Sequence, residues 1–189
     1  VSGTVTGEFG VGGLVADNRN NGVIRSSYAT ADVTAENNNA GGLAGANGGR
    51  IVTSAALGDV QSNRTDGFNT GGLVGVNGKT DTNGIINASY AVNSVQGDEF
   101  VGGLVGTNFN GSIERSYSVS KIEGRTTGGI TGNNDGKTAG SYWYTQATGQ
   151  PTSAGSATGL STAQMTGEAA RTNMGELDFE DTWAVTESY

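Results

Sequence analysis

The heptapeptide GGLVGVN at 71–77 recurs along this chain of 189 residues with few changes. Its counterparts are GGLVADN from Gly12, GGLAGAN from Gly41, GGLVGTN from Gly102 and GGITGNN from Gly128, so the spacings are 29, 30, 31 and 26 residues. A second motif follows each copy: IRSSYA, IVTSAA, IINASY, IERSYS and TAGSYW. The chain therefore holds four full repeats and an incomplete fifth, and SGTVTG at 2–7 matches the tail of a truncated repeat before them.

Glycine accounts for 34 of the 189 residues, whereas proline occurs once and cysteine and histidine are absent. The glycines do not recur at every third position, which excludes a collagen helix. Without cysteine there is neither a disulfide framework nor a thiolate metal site. Without histidine there is no Ser-His-Asp triad and no Cys-His dyad. The composition therefore favours a protein that is not an enzyme.

Apolar residues fall into three columns when the repeats are aligned. The first column follows each glycine pair and holds Leu14, Leu43, Leu73, Leu104 and Ile130. The second holds Ile24, Ile51, Ile86 and Ile113 and ends at Thr138, and the third holds Val5, Val33, Val60, Val95 and Ile122. The segments around them are short and bounded by Gly, Asn, Asp or Ser, which is typical of strands and turns.

A single repeat cannot bury its apolar side, whereas stacked repeats bury a continuous strip. The sequence therefore predicts an all-β fold, a parallel β-helix or β-solenoid of about five to six coils over residues 1–140. Three apolar columns predict three short strands in each coil, with the coils about 4.8 Å apart. Glycine suits the corners of such a coil because it adopts positive φ at no steric cost.

An asparagine ends each copy of the heptapeptide. The five are Asn18, Asn47, Asn77, Asn108 and Asn134. Each shares the parity of the leucine or isoleucine in its copy, so both side chains point to one side of the strand. Two structural roles stay open at this point. The side chains can hydrogen-bond their equivalents in neighbouring coils as a ladder, or each can cap its own turn.

Segments of variable length separate the motifs, at 17–22, 36–40, 64–69, 79–84 and 97–99. They carry nine of the 28 charged residues. Insertions in solenoids map to surface loops, often on one side. We therefore expect contacts with partners to lie in these loops.

Residues 141–189 are predicted to form a C-terminal cap, because the repeat pattern ends there. The one helical stretch is LSTAQMTGEAAR at 160–171, with Ser161 or Thr162 as its N-cap. Six of the 13 aromatic residues lie in this segment: Tyr142, Trp143, Tyr144, Phe179, Trp183 and Tyr189. They are expected to cover the exposed end of the solenoid. A platform for carbohydrate is the alternative for these side chains.

The GGLVGxN and IxxSYA motifs resemble the GLUG repeat, which is named for its Gly-Leu-apolar-Gly core. The ending SYWYTQATGQPTSAGSATGLSTAQMTG, followed by DFEDTWAV and ESY, is similar to the segment that closes GLUG arrays. Tyr144 stands where that segment usually has aspartate. The resemblance covers nearly the whole chain. It implies an extracellular β-solenoid without catalytic residues, as in microbial adhesins and in non-catalytic regions of some immunoglobulin A peptidases.

The formal net charge is −8, from 18 acidic and 10 basic residues, and the basic residues are scattered. Nucleic acid is therefore not an expected partner. No apolar run reaches the roughly 18 residues of a membrane span. The acid excess with only three lysines suits a salty milieu. The chain begins at Val1 without a signal peptide, and we expect it to be a piece of a longer extracellular or cell-surface protein.

Chemical sites are weakly indicated. Parallel β-helices also serve as polysaccharide lyases and glycosidases, and the candidate acids here are Asp66, Asp81, Asp98, Glu99 and Glu114. A glycosidase needs two carboxylates at a defined separation, and these acids do not recur in a suggestive cluster, so solvated surface charge is the expected role. No cofactor is predicted, and calcium bound by ADNRNNG at 16–22 is the alternative. Candidate glycosylation sites are the sequons at Asn63, Asn87 and Asn110.

We expect a non-enzymatic extracellular module, a rigid β-solenoid that presents loops for adhesion or builds a surface appendage. Its partner would be a cell-surface glycan or protein, or neighbouring subunits of the same kind. The alternatives are a glycan-binding segment of a viral tail spike or fibre, a carbohydrate-active enzyme, and the non-catalytic region of a larger secreted peptidase.

Overall fold

Short segments between glycine, asparagine and aspartate corners form the strands of this protein. In a computed structural model that describes residues 1–185, these strands wind into parallel coils that stack in register. The predicted fold class is confirmed: the chain is an all-β parallel β-solenoid of about five turns with few helices. Tyr189 and the rest of the ESY ending lie outside the described residues.

The strands are numbered along the chain. The N-terminal fragment and the first two coils contain β1 (Ser2–Gly7), β2 (Val11–Gly12), β3 (Val15–Asn18), β4 (Val23–Arg25), β5 (Tyr28–Ala35), β6 (Ala40–Gly41), β7 (Ala44–Asn47), β8 (Arg50–Val52), β9 (Ala55–Ala56) and β10 (Val60–Ser62). The third and fourth coils contain β11 (Phe68–Gly71), β12 (Val74–Asn77), β13 (Ile85–Asn87), β14 (Tyr90–Ala91), β15 (Ser94–Gln96), β16 (Glu99–Gly102), β17 (Val105–Asn108), β18 (Ser112–Glu114), β19 (Tyr117–Ser118) and β20 (Lys121–Glu123). The fifth coil and the strand after it contain β21 (Thr127–Gly128), β22 (Thr131–Asn134), β23 (Lys137–Ala139), β24 (Tyr142–Tyr144) and β25 (Thr158–Leu160).

The second, third and fourth coils each have five short strands, so the prediction of three strands is wrong. In the second coil these are β6 to β10, and each pairs in parallel with its equivalent in the next coil. One unforeseen corner precedes the serine of the second motif, where the backbone has φ between 47° and 53°. It is formed by Ser26, Thr53, Ala88, Arg115 and Gly140. Residues other than glycine rarely adopt this conformation. Four of these five residues are not glycine, so the sequence did not indicate a bend at this position.

The core is built from the aligned apolar columns. The isoleucine column pairs Ile24 with Ile51, then Ile86 and Ile113, and Thr138 follows at its end. The valine column pairs Val5 with Val33, Val60, Val95 and Ile122 in turn. Each column places an apolar side chain on its equivalent one coil away, so burial continues along the stack.

The fifth position of the heptapeptide is set by the backbone of the preceding coil. A Cβ added to Gly106 would lie 2.7 Å from the Cα of Asn69, and one added to Gly132 would lie 2.7 Å from the Cα of Phe100. Backbone atoms at a corner cannot move aside, so glycine is required there. The first heptapeptide has Ala16 at this position, and Ala16 is exposed at the end of the stack.

Replacing Gly106 by alanine should therefore lower the free energy of unfolding by about 2–3 kcal/mol, the scale of overpacking in a close-packed core. The matched change Ala16→Gly adds no contact with a neighbouring coil and should cost less than about 1 kcal/mol. Urea unfolding followed by circular dichroism measures both variants. A Gly106→Ala protein as stable as the parent would show that the coils do not approach as described.

The C-terminal segment folds over the last coils with three short helices. These are α1 (Thr145–Thr148), α2 (Thr162–Met165) and α3 (Gly167–Asn173). The single helix predicted over 160–171 is broken, because Thr166 is extended and Gly167 has a φ of 55°. Ser161 is the N-cap of α2, and its backbone N–H donates to Oε1 of Gln164 at 2.9 Å. No helix within residues 1–185 has the length and apolar character needed to cross a membrane.

Trp143 closes the interior of the stack at its C-terminal end. It follows a column of small residues, Ala29, Ala56, Ala91 and Ser118. Its ring lies against Gly129, and its Nε1 donates to the carbonyl oxygen of Gln150 at 2.9 Å. A separate apolar cluster joins the cap to the last coil, through Tyr142, Leu160, Met165, Ala170, Met174 and Leu177.

Candidate binding surfaces

The five asparagines of the heptapeptide lie in one line inside the stack. The amide Nδ2 of each donates to Oδ1 of the next, at 2.7, 2.8, 2.9 and 2.7 Å from Asn18 to Asn134. The amides also bond to backbone carbonyls of their own turns, as Asn77 does to Gly84 at 3.1 Å and Asn108 to Gly111 at 3.2 Å. The structure thus combines the two roles that the sequence left open, and the column is structural because Asn47, Asn77 and Asn108 are completely buried.

The leucine column lies in the same core. Leu43, Leu73, Leu104 and Ile130 are completely buried, whereas Leu14 in the first coil is half-buried. The backbone links these positions as well, because each N–H donates to the carbonyl of its equivalent in the next coil at 2.8–3.0 Å. This column therefore offers no group to a ligand.

A serine column forms a second ladder that the sequence reasoning missed. The backbone N–H of each serine donates to the side-chain hydroxyl of the equivalent serine in the next coil, at 3.1–3.2 Å. These bonds run from Ser27 to Ser54, from Ser54 to Ser89 and from Ser89 to Ser116. Each hydroxyl also donates to the carbonyl two residues earlier, at 2.8–2.9 Å. The recurring serine of the second motif was the available signal. Its role depends on the positive-φ corner before it, which turns the hydroxyl toward the preceding coil.

The variable segments lie at two corners of the coil rather than on one side. The asparagine corner follows the asparagine column, at 19–22, 48–49, 78–84, 109–111 and 135–136. A second corner precedes the glycine pairs, at 36–39, 63–67, 97–98 and 124–126. At the asparagine corner, the longest loop folds back across the second coil, and Nζ of Lys79 reaches Oδ2 of Asp17 at 2.7 Å.

The candidate catalytic acids are surface groups, most of them engaged with neighbours. Arg125 binds both Asp98 at 2.6 Å and Glu99 at 3.4 Å. A hydrogen bond from Arg64 lowers the pKa of Asp66. Glu114 accepts the Ser112 hydroxyl at 2.7 Å, and Asp81 is exposed in the long loop. No acidic side chain among residues 1–185 is buried, so these carboxylates face solvent rather than an enclosed apolar pocket.

The loop considered for calcium has its carboxylate turned toward cations of the protein itself. Asp17 lies in β3, and its Oδ2 contacts Nε of Arg19 at 3.1 Å in addition to Lys79. Within residues 1–185, no three acidic, histidine or cysteine side chains are grouped so that they could hold a metal ion. Calcium binding therefore gains no supporting arrangement from this loop.

The three sequons differ in accessibility. Asn63 and Asn110 are exposed in loops, one at each kind of corner, and Asn63 donates to Oε1 of Glu36 at 3.1 Å. Asn87 lies in β13 and is half-buried. The serine of its sequon, Ser89, is completely buried in the serine ladder. In the folded chain, Asn63 and Asn110 are the better placed candidates for glycosylation.

A tyrosine column runs along the outer side of the strands that follow the serine corner. Tyr28, Ala55, Tyr90, Tyr117 and Tyr142 occupy successive register positions. The rings of Tyr90 and Tyr117 stack at 5.2 Å with an interplanar angle of 7°. Trp183 of the cap packs against both rings, with centroids 5.9 Å and 5.1 Å away. Ala55 interrupts the column and forms the floor of a cavity of about 310 Å³.

A turn stabilised by Asp178 holds Trp183 at this place. The Asp178 carboxylate accepts the backbone N–H groups of Asp181 at 3.1 Å and Glu180 at 3.0 Å, and these bonds lower its pKa. The carbonyl of Asp178 accepts the N–H of Trp183 at 2.8 Å. The indole Nε1 is shielded from solvent and has no hydrogen-bond partner among the described residues. Ring contacts and this turn therefore position Trp183.

No family model matches the chain. It is 37% identical to halomucin of Haloquadratum walsbyi over 78 residues, a match that covers 35% of this chain and 1% of halomucin. Its fold is similar to a crystal structure from Bacteroides ovatus of a protein named as an immunoglobulin A1 protease, with a TM-score of 0.66 and 20% identity. That match covers 87% of this chain and 59% of the other, so this chain spans only part of both proteins. At this identity the likeness shows the fold alone: the chain is a parallel β-solenoid that shares its fold with the Bacteroides protein and is similar in part of its sequence to halomucin.

Proposed function

We propose that this chain is a non-enzymatic, extracellular β-solenoid module, built of GLUG-type repeats, that forms a stiff segment of a larger surface protein. One observation carries the proposal: the interior polar side chains bond coil to coil along the whole stack. The asparagine ladder alone runs through all five heptapeptides. Such a stack resists bending and leaves its exposed corners and its outer sheet surfaces for contact with partners.

The surface chemistry supports binding rather than catalysis. None of the acidic side chains within residues 1–185 is buried, and Asp66, Asp98 and Glu99 pair with arginines of the same chain. Exposed ion pairs contribute little to stability, but they keep the corner loops polar. The partner would be a cell-surface glycan or protein, or a neighbouring subunit. The partial similarity to halomucin is consistent with an extracellular location.

Two assays on the purified chain test the proposal. A glycan array and a cell-binding assay should detect binding, whereas incubation with acidic and neutral polysaccharides and with immunoglobulin A1 should release no product. The carboxylate variant Asp98→Asn with Glu99→Gln serves as the control for catalysis, and Asp66→Asn is the matched variant at the same kind of corner. The proposal would be overturned if the parent and Asp66→Asn both release product and the double variant does not.

A second function has one observation in its favour. The fold likeness to a protein named as an immunoglobulin A1 protease covers 87% of this chain. The chain could therefore serve as a non-catalytic region of a larger secreted peptidase. The full reading frame decides between the two, because a peptidase domain encoded beside these repeats would support the second function, whereas a surface-anchoring segment would support the first.

A further inference from the structure

The gap in the tyrosine column is a site of defined width. Tyr28 and Tyr90 occupy the same register position two coils apart, and Ala55 lies between them. Two coil steps measure about 9.6 Å. A ring in van der Waals contact on both faces needs about 7–8 Å between its neighbours. The slot therefore has room for one ring, and its cavity of about 310 Å³ is at the lower end of small-molecule sites.

The walls of the slot combine aromatic surface with hydroxyl groups. Tyr28 is 63% exposed, and Tyr90 and Trp183 form the opposite wall. Ser26 and Thr53 line the same cavity and are exposed. Both have positive φ, at 48° and 49°, and neither hydroxyl has a hydrogen-bond partner within residues 1–185. The slot thus offers two ring faces and two unpaired hydroxyls.

The slot is also uncharged. In the part of the chain that the structure describes, every residue that lines it is a serine, threonine, alanine, tyrosine or tryptophan. The net charge of the chain is −8, which disfavours an anionic ligand. Among residues 1–185, no carboxylate lines the slot to attract a cation. Its chemistry therefore selects a neutral ligand with an apolar ring face and hydroxyl groups at its edge.

We propose that the slot between Tyr28 and Trp183 binds a neutral pyranose residue of a glycan. The C–H face of the sugar packs against the aromatic walls, and its hydroxyls hydrogen-bond Ser26 and Thr53. This inference rests on the proposed function as a binding module and names the ligand class for one surface. An aromatic side chain of a peptide is the competing occupant, but it would leave the two hydroxyls unpaired under the ring, which costs free energy.

The test measures binding of methyl glycosides of glucose, galactose and mannose by saturation-transfer NMR and tryptophan fluorescence. The parent chain should bind at least one of them, and Tyr28→Ala should bind it at least tenfold more weakly. Ala55→Tyr should abolish binding, because the new ring fills the gap. The matched control is Phe9→Ala, since Phe9 is also 63% exposed but does not line the slot. This control should bind like the parent.

The fold of each variant is checked by thermal melting, and Tyr28→Ala keeps the test decisive if Ala55→Tyr fails to fold. N-acetyl-tyrosinamide and glucuronic acid are included as probes. Binding of the tyrosinamide alone, lost in Tyr28→Ala, would show that the slot takes an aromatic side chain and that the sugar assignment is wrong. Tighter binding of glucuronic acid than of the neutral glycosides would also contradict the proposal.

The experiments distinguish an error in the slot proposal from an error in the proposed function. If the parent binds cells or the glycan array and both slot variants bind equally well, the slot is wrong and the binding module stands. If the parent binds neither cells nor any glycan, the proposed binding of cell-surface partners falls, and the slot falls with it.

Discussion

Replacing Asn77 by alanine should lower the free energy of unfolding by about 3 kcal/mol. Asn77 lies in the middle of the ladder and is completely buried. It accepts from Asn47 at 2.8 Å and donates to Asn108 at 2.9 Å. The alanine variant removes the acceptor of the Asn47 amide and the donor to the Asn108 carbonyl oxygen. Each unsatisfied buried group costs about 1–3 kcal/mol. Urea unfolding with an unchanged m-value measures the loss.

The control for this variant is Asn134→Ala. Asn134 ends the ladder and is half-buried, and the Asn108 amide that loses it keeps its hydrogen bonds to the carbonyls of Gly111 and Lys137. We expect a loss of about 1 kcal/mol there. Equal losses at the two positions would contradict a ladder in which the middle member satisfies two neighbours. The comparison therefore separates inter-coil bonding from a cap on each turn.

Replacing Leu73 by alanine should cost about 2–5 kcal/mol, the range for deleting a buried leucine side chain. Leu73 is completely buried between Leu43 and Leu104 of the neighbouring coils. Close packing on both sides prevents the cavity from collapsing, so the loss should lie in the upper half of that range. Thermal and urea unfolding measure it.

Leu14→Ala is the matched variant at the end of the same column. Leu14 is half-buried, because it lies in the first coil and only the second coil packs against it. Its truncation should therefore cost less than about 2 kcal/mol. A Leu73→Ala protein that unfolds like the parent, or like Leu14→Ala, would show that the column is not the core of the stack.

The architecture was largely predictable because it repeats. Each copy of GGLVGxN contains a corner, a buried apolar residue and an asparagine. One repeat of the sequence corresponds to one coil of the solenoid. The in-register pairing of Ile51 with Ile86, or of Val60 with Val95, follows from aligning the repeats. Parallel strands in register also place identical side chains within hydrogen-bond distance. For this reason the recurring asparagine predicted a ladder as one of its two possible roles.

The number of strands in a coil was not predictable in the same way. The corner before the serine is made by Thr53, Ala88 and Arg115 in the second to fourth coils, and these residues have no common preference for positive φ. Contacts with neighbouring coils hold them there: the N–H of Thr53 donates to the carbonyl of Asn87, and that of Ala88 to Glu114, both at 3.1 Å. The same contacts create the serine ladder.

The sequence by itself determined the parallel β-solenoid, its period and the identity of its core columns, because these depend on local spacing that every repeat carries. The tertiary structure alone decided the five-stranded coil, the two loop corners and the slot at Ala55. Trp183 reaches that slot along the non-repeating cap, whose course depends on packing against Tyr90 and Tyr117 rather than on any period. A repeat specifies what lies directly above and below it, whereas a surface formed by distant segments exists only once the chain has folded.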